Sequence, residues 1–118
     1  MAQPNSFAEQ VEANLPKLDA RPEFSGDRLW LTFYLMGPPD NLQNVSERLK
    51  ARGWVNVDGW EGAFLYPKVQ VEKSVNSVVR AAEATQELCV PHDIEILNID
   101  ADMSPDVERS QFVTLFRK

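Results

Sequence analysis

The sequence predicts an α+β fold in which a four-stranded antiparallel sheet carries two helices on one face. Three observations predict it. Residues 29–36 alternate as a strand, two later segments recur at helical spacing between clear start and stop signals, and a strand pair joined by Asp58-Gly59 separates them. The order between residues 29 and 100 is therefore strand, helix, strand, strand, helix, strand. That is the order of a ferredoxin-like βαββαβ sandwich. Residues 1–27 read as an N-terminal appendage. Residues 28–118 read as one domain with a C-terminal extension from about residue 104.

Each element has a local cause. In the appendage, Ser6 caps a short helix carrying Phe7, Val11 and Leu15, which Pro16, Pro22 and Gly26 break; partial order is expected there. In the first strand Leu29, Leu31, Phe33 and Leu35 point one way, and Trp30, Thr32, Tyr34 and Met36 the other. Apolar residues on both faces make it a central strand. Gly37, Pro38 and Pro39 end it. Asp40 is the expected N-cap of the first helix, with Gln43 at the capping-box position. Leu42, Val45 and Leu49 form its stripe, Arg48, Lys50 and Arg52 complement its C-terminal dipole, and Gly53 closes it.

Residues 54–58 read as a short strand with Val55 and Val57 on one face. Asp58-Gly59 is the hairpin turn, and Gly62 loosens it. The next strand, 63–71, contains Pro67, so a bulge or unpaired position is expected. Ser74 caps the second helix, whose stripe is Val75, Val78, Val79, Ala82 and Leu88, extended by Cys89 and limited by Pro91. Residues 94–100 form the last core strand. Beyond it, Ser104-Pro105-Asp106 is a helix-start signal, whereas 111–116 reads as a strand.

A chain of 118 residues is one domain's worth and can bury about two-thirds of its unfolded surface, so it needs no disulfide or metal. Cys89 is the only cysteine, which excludes an internal disulfide and suits a reducing, cytoplasmic setting. The first twenty residues show neither a basic nor an apolar signal region, and no apolar run is long enough to span a bilayer. The net charge of -6 disfavours phosphate backbones and favours a basic protein partner. The acids concentrate between residues 90 and 108, where Asp93, Glu95, Asp100, Asp102, Asp106 and Glu108 stand without a Lys or Arg. Such a run is most often solvated surface.

No catalytic or metal constellation is visible. His92 beside Asp93 could be a tuned base, but no second ligand or nucleophile lies near it, and it reads as a loop histidine. Cys89, at the end of an apolar stripe, reads as a buried and inert thiol. Asp100, Asp102, Ser104, Asp106 and Glu108 alternate like calcium-loop ligands, yet Pro105 and Gln111 stand where that loop needs Gly and Glu. Arg48, Lys50, Arg52 and Trp54 could form a small basic patch, but helix-end capping explains the charges. No glycine-rich phosphate loop and no G-x-S-x-G, H-E-x-x-H or C-x-x-C motif is present. No enzyme, cofactor or metal is expected.

The sharper feature is aromatic. Trp30, Tyr34, Phe64 and Tyr66 share one strand-face parity, with Trp54 a candidate fifth. Neighbouring strands would join them into a stripe opposite the helices. The expected cover is a terminal segment, either the N-terminal one with Phe7, Val11 and Leu15 or the C-terminal one with Phe112, Val113, Leu115 and Phe116, ahead of a protein partner or second copy. RNA-binding sheets stack bases on such rings, but this chain is acidic and lacks their glycine–aromatic signature.

Residues 29–102 resemble the regulator of ribonuclease activity B (RraB) family, the protein inhibitors of ribonuclease E. The resemblance lies in the strand LWLTFYLM with its Pro-containing link, in the helix end ERLKARGWVNV, and in AFLYPKVQVEKSVNSVVRAAEATQEL, a strand leading into a long helix. Where the family often carries Tyr-Asp-Gly-Trp near its last strand, this chain has His92-Asp93-Ile94-Glu95-Ile96, and its Asp58-Gly59-Trp60 lies at the hairpin instead. The resemblance implies a non-enzymatic cytoplasmic protein that binds the basic scaffold region of an endoribonuclease and modulates RNA turnover. Asp93, Glu95, Asp100, Asp102 and Asp106 would supply charge, and Trp30, Tyr34, Phe64 and Tyr66 burial. Two alternatives stand beside it: a ferredoxin-like small-molecule binder or enzyme using the aromatic face, and a single-strand RNA binder.

Overall fold

β1 (Arg28–Met36) has strand neighbours on both edges, and the rest of the molecule is arranged around it. The computed structural model describes residues 7–24, 26–58, 62–102 and 112–118. On one side β1 pairs antiparallel with β2 (Phe64–Leu65) and β3 (Lys68–Glu72), in the registers Met36↔Phe64 and Thr32↔Lys68. On the other it pairs antiparallel with β4 (Glu95–Asp102), through Thr32↔Asp100 and Tyr34↔Asn98. β5 (Phe112–Arg117) adds to the far side of β4. The result is an α+β fold with an antiparallel sheet of five strands among the described residues.

The interruption expected at Pro67 separates β2 from β3. Its carbonyl accepts from the Phe33 N–H at 3.0 Å, so the break stays tied to β1. The strand expected over 54–58 is reduced to one bridge, Val55↔Lys68. The cause is Asn56, which adopts φ 58° and sends its amide to the Tyr66 carbonyl at 2.7 Å. A left-handed residue cannot continue an extended strand. It also undoes the shared face expected for the two valines: Val55 is exposed and Val57 is buried.

α2 (Pro39–Ala51) has Pro38 as its N-cap rather than Asp40, and so starts two residues earlier than that cap would set. Pro39 occupies the first turn, where a missing N–H costs nothing, and Asp40 sits in that turn as a charge on the dipole. At the other end Gly53, at φ +90°, donates to the Lys50 carbonyl, and Trp54 donates to the Leu49 carbonyl. These two bonds make a Schellman motif. It turns Trp54 back onto Phe33 in the core, with ring centroids 5.3 Å apart. Trp54 therefore does not join the aromatic stripe. α3 (Val75–Cys89) is capped by Ser74, whose hydroxyl accepts from the Ser77 N–H at 3.1 Å. It buries Val78, Ala82, Thr85 and Cys89. At Gly37 a methyl group would meet the Ile94 side chain at 2.7 Å, so the turn after β1 needs glycine for close approach.

Leu29, Leu31, Phe33 and Leu35 are sealed under these helices, each contributing about 1.5–3 kcal/mol of burial. The segment read as an appendage belongs to the same core. α1 (Phe7–Asn14) and the 3₁₀ turns after it add Val11, Leu15, Leu18 and Phe24. α1 packs against α3 and β5, and so covers neither the aromatic residues nor the face they occupy. It closes an edge instead. Gln10 donates to the Arg117 carbonyl and accepts from the Arg117 N–H, both at 3.0 Å, and Asn14 donates to the Leu115 carbonyl at 3.1 Å. The C-terminal strand likewise extends the sheet rather than folding over it. The helix-start signal at Ser104-Pro105-Asp106 lies outside the described residues. Among the described residues no helix is long and apolar enough to cross a membrane.

Replacing Gln10 and Asn14 together by Ala should cost about 1 kcal/mol per lost hydrogen bond in urea unfolding. Amide exchange at Arg117 should speed up while β1 stays protected. Unchanged exchange at Arg117 would show that α1 does not hold this edge.

Candidate functional site on the helix-free sheet face

The even-numbered residues of β1 face away from the described helices, and Thr32 is the middle one. Its strand partners are Lys68 on one side and Asp100 on the other. Diagonal neighbours on a sheet face are within reach of long side chains, and Lys68 uses that reach. Its ammonium donates to the Thr32 hydroxyl and pairs with Asp102 Oδ2 at 3.3 Å; Thr32 donates to the same oxygen at 3.2 Å. The Lys68 side chain is only 3% exposed. Asp100 sits beside this trio, buried, with Oδ1 accepting from Asn98 at 2.6 Å and from Thr114 at 2.9 Å. The Tyr34 phenol lies within reach of the Asp100 carboxylate's influence as well.

Burial pushes the Asp102 carboxyl up from its ordinary value, and nearby Asp100 adds to this; Lys68 and Thr32 pull it back down. Burial, then the Asp100 carboxylate, pushes the Tyr34 phenol up to about 12. The described cluster holds two carboxylates and one ammonium. Toward the Met36 end of the face the aromatic residues begin. Tyr34 meets Tyr66 edge to face at 5.3 Å, and Phe64 stacks parallel to Tyr66 at 6.5 Å. Tyr34 and Tyr66 are half-buried, and Phe64 is 37% exposed. Trp30 lies at the opposite end, half-buried, beyond Thr32.

The residues expected to act together are thus divided. Tyr34, Tyr66 and Phe64 form one contact group, and Trp30 stands apart from it. Asp100 and Asp102 are buried in the polar cluster, so neither carboxylate offers a partner direct contact. Glu95 is exposed and paired with Lys118; Asp93 is exposed in a left-handed turn at φ 58°. Asp106 lies outside the described residues, as does most of the calcium-loop pattern. Among the described residues no three acidic, His or Cys side chains converge as a metal site. His92 ends a 3₁₀ turn, and its backbone carbonyl accepts from Asn41 at 2.7 Å. Cys89 is buried, which pushes its thiol up to about 12 and leaves it protonated at neutral pH.

Sequence reasoning missed Lys68. The available signal was its parity with Gln70 and Glu72, which reads as a solvated edge. Only its register opposite Thr32 brings it over Asp102. Comparison of the chain with protein-family models, with curated proteins and with solved structures returns no match.

Lys68→Met leaves two buried carboxylates without their ammonium and should destabilise by about 3–5 kcal/mol. The double variant Lys68→Met/Asp102→Leu should recover most of that loss in denaturant unfolding, and a neutral Lys68→Met would contradict the cluster. Tyr34 supplies a pH test. A phenol whose folded value lies above its unfolded value of 10.0 resists ionising only while folded. Stability should therefore fall as pH rises from about 10 toward 12. Tyr34→Phe should flatten that loss, and an unchanged alkaline profile would exclude this role for Tyr34.

Proposed function

We propose that this chain is a non-enzymatic regulator with a ferredoxin-like fold. It binds the basic scaffold region of a ribonuclease E-like endoribonuclease and dampens RNA turnover in the cytoplasm. The strand order supports the fold reading. Counting the Val55↔Lys68 bridge as a vestigial edge strand, the sequence reads across the sheet as second, third, first and fourth strand, with β5 as an addition. The resemblance of residues 29–102 to the RraB family supports the functional reading.

One observation carries the proposal. The Tyr34–Tyr66–Phe64 group, part-exposed, lies beside a buried cluster whose described carboxylates outnumber its ammonium. Aromatic faces backed by negative charge suit Arg and Lys, by cation–π contact and by long-range attraction. Tyr and Phe also supply contact area at low entropic cost. The overall charge of -6 steers the same kind of partner toward the chain.

Phe64→Ala and Tyr66→Ala should each weaken capture of the endoribonuclease's scaffold region by about tenfold or more, the scale of a binding hot spot. Calorimetric titration on folded variants reads this directly. Wild-type affinity in both variants would remove the aromatic face from the account. Salt-sensitive binding of single-strand oligonucleotides, with no binding of the protein, would favour RNA recognition instead.

A further inference from the structure

At the end of the sheet where α1, α3, the start of β4 and the end of β5 meet lies a groove of about 610 Å3. Ile94, Ile96 and Phe116 line it, all of them core residues, and Phe7 leans on Phe116 with ring centroids 4.7 Å apart. Val90 also lines it, and at 61% exposure it is the most exposed large apolar side chain described. An apolar cleft of this size, with a few polar groups at its edge, is the ordinary form of a binding pocket.

The polar groups select the occupant. Glu83 of α3 and Glu95 of β4 line the groove with one cation, Lys118, and Lys118 is already paired with Glu95. Asp93, exposed, precedes Ile94 in the chain. The groove therefore presents an apolar lining with net negative charge. That is the complement of an apolar side chain flanked by Arg or Lys. A second copy of this chain is a poor match, because two chains of charge -6 would bring like charges together. The groove also adjoins the aromatic face. Met36 is the strand partner of both Phe64 and Glu95, so one row leads from the rings to the groove's acidic edge.

We infer that this groove is a second docking point for the basic partner, taking an apolar anchor flanked by Arg or Lys. The inference rests on the proposed function, since it supposes a basic protein partner, but it concerns a different surface. Val90→Glu puts a charge into the anchor's place, and Glu83→Lys inverts the attraction; both residues are exposed and outside the core. The probe is a fluorescein-labelled peptide with a phenylalanine between arginines, titrated into the full chain beside the endoribonuclease's scaffold region.

Both variants should weaken the peptide and the scaffold by tenfold or more, and Phe64→Ala should leave the peptide unaffected. Scaffold binding at wild-type strength in Val90→Glu and Glu83→Lys would overturn the groove and leave the proposed function standing. Failure of the peptide to bind the wild-type chain would also overturn it. Binding of the peptide with no binding of the scaffold would support the groove and defeat the ribonuclease reading. Peptide binding that appears only after deletion of residues 1–6 would assign the groove to the chain's own leading segment. A dimer in solution that Val90→Glu dissociates would assign it to a second copy. Either of these last two results would overturn the inference.

Discussion

Everything in this fold depends on β1 having two unlike faces in the middle of a sheet. Its odd residues are wholly apolar and vanish under the helices, which fixes the register of every neighbouring strand. A slip of one residue would drive Thr32 and Tyr34 into the core and Leu31 and Phe33 out of it. Its even residues then have to meet whatever the flanking strands bring. Those strands bring Lys68 from one side and Asp100 and Asp102 from the other, so the polar cluster follows from the register that the apolar face enforces.

This division of labour separates stability from recognition. The helical layer, with α1 closing the β5 edge through Gln10 and Asn14, holds the sheet without using the opposite face. That face can spend its residues on a buried ion pair, which is weak evidence of stabilisation in itself. Its charges also reach the neighbouring rings. The Asp100 carboxylate acts on the Tyr34 phenol, and Tyr34 meets Tyr66 edge to face. Phe64 stacks outward from there. The rings most exposed on this face thus lie beside buried carboxylates.

Much of the fold was legible where its cause was local, although the local cap signal at Asp40 misplaced the start of α2. Gly53 and Ser74 announce helix ends by their own chemistry, and Pro67 announces a broken strand. The strand over 54–58 was not legible, because Asn56 leaves the extended region to reach Tyr66, ten residues away. The site was legible only in part. Alternation identified the side of each strand on which Tyr34, Phe64 and Tyr66 sit. It could not say that Trp54 would be turned inward, which follows from the Schellman bonds. Nor could it separate buried from surface carboxylates, because Asp100 and Asp102 share their run with Asp93 and Glu95. What tells them apart is a lysine more than thirty residues away in sequence and a hydroxyl on the central strand. α1 escaped for a similar reason: its partner strand is about a hundred residues distant.

The central claim is that the aromatic face backed by buried carboxylates is what a basic protein touches. Transferred-saturation NMR on the isotope-labelled chain, with the unlabelled scaffold region of the endoribonuclease bound, tests it most directly. The account predicts the strongest attenuation at the Tyr34, Phe64 and Tyr66 rings and at the Met36 methyl, with the buried β1 residues Leu31 and Phe33 silent. Attenuation confined to the solvent faces of α2 and α3, with those rings untouched, would contradict it.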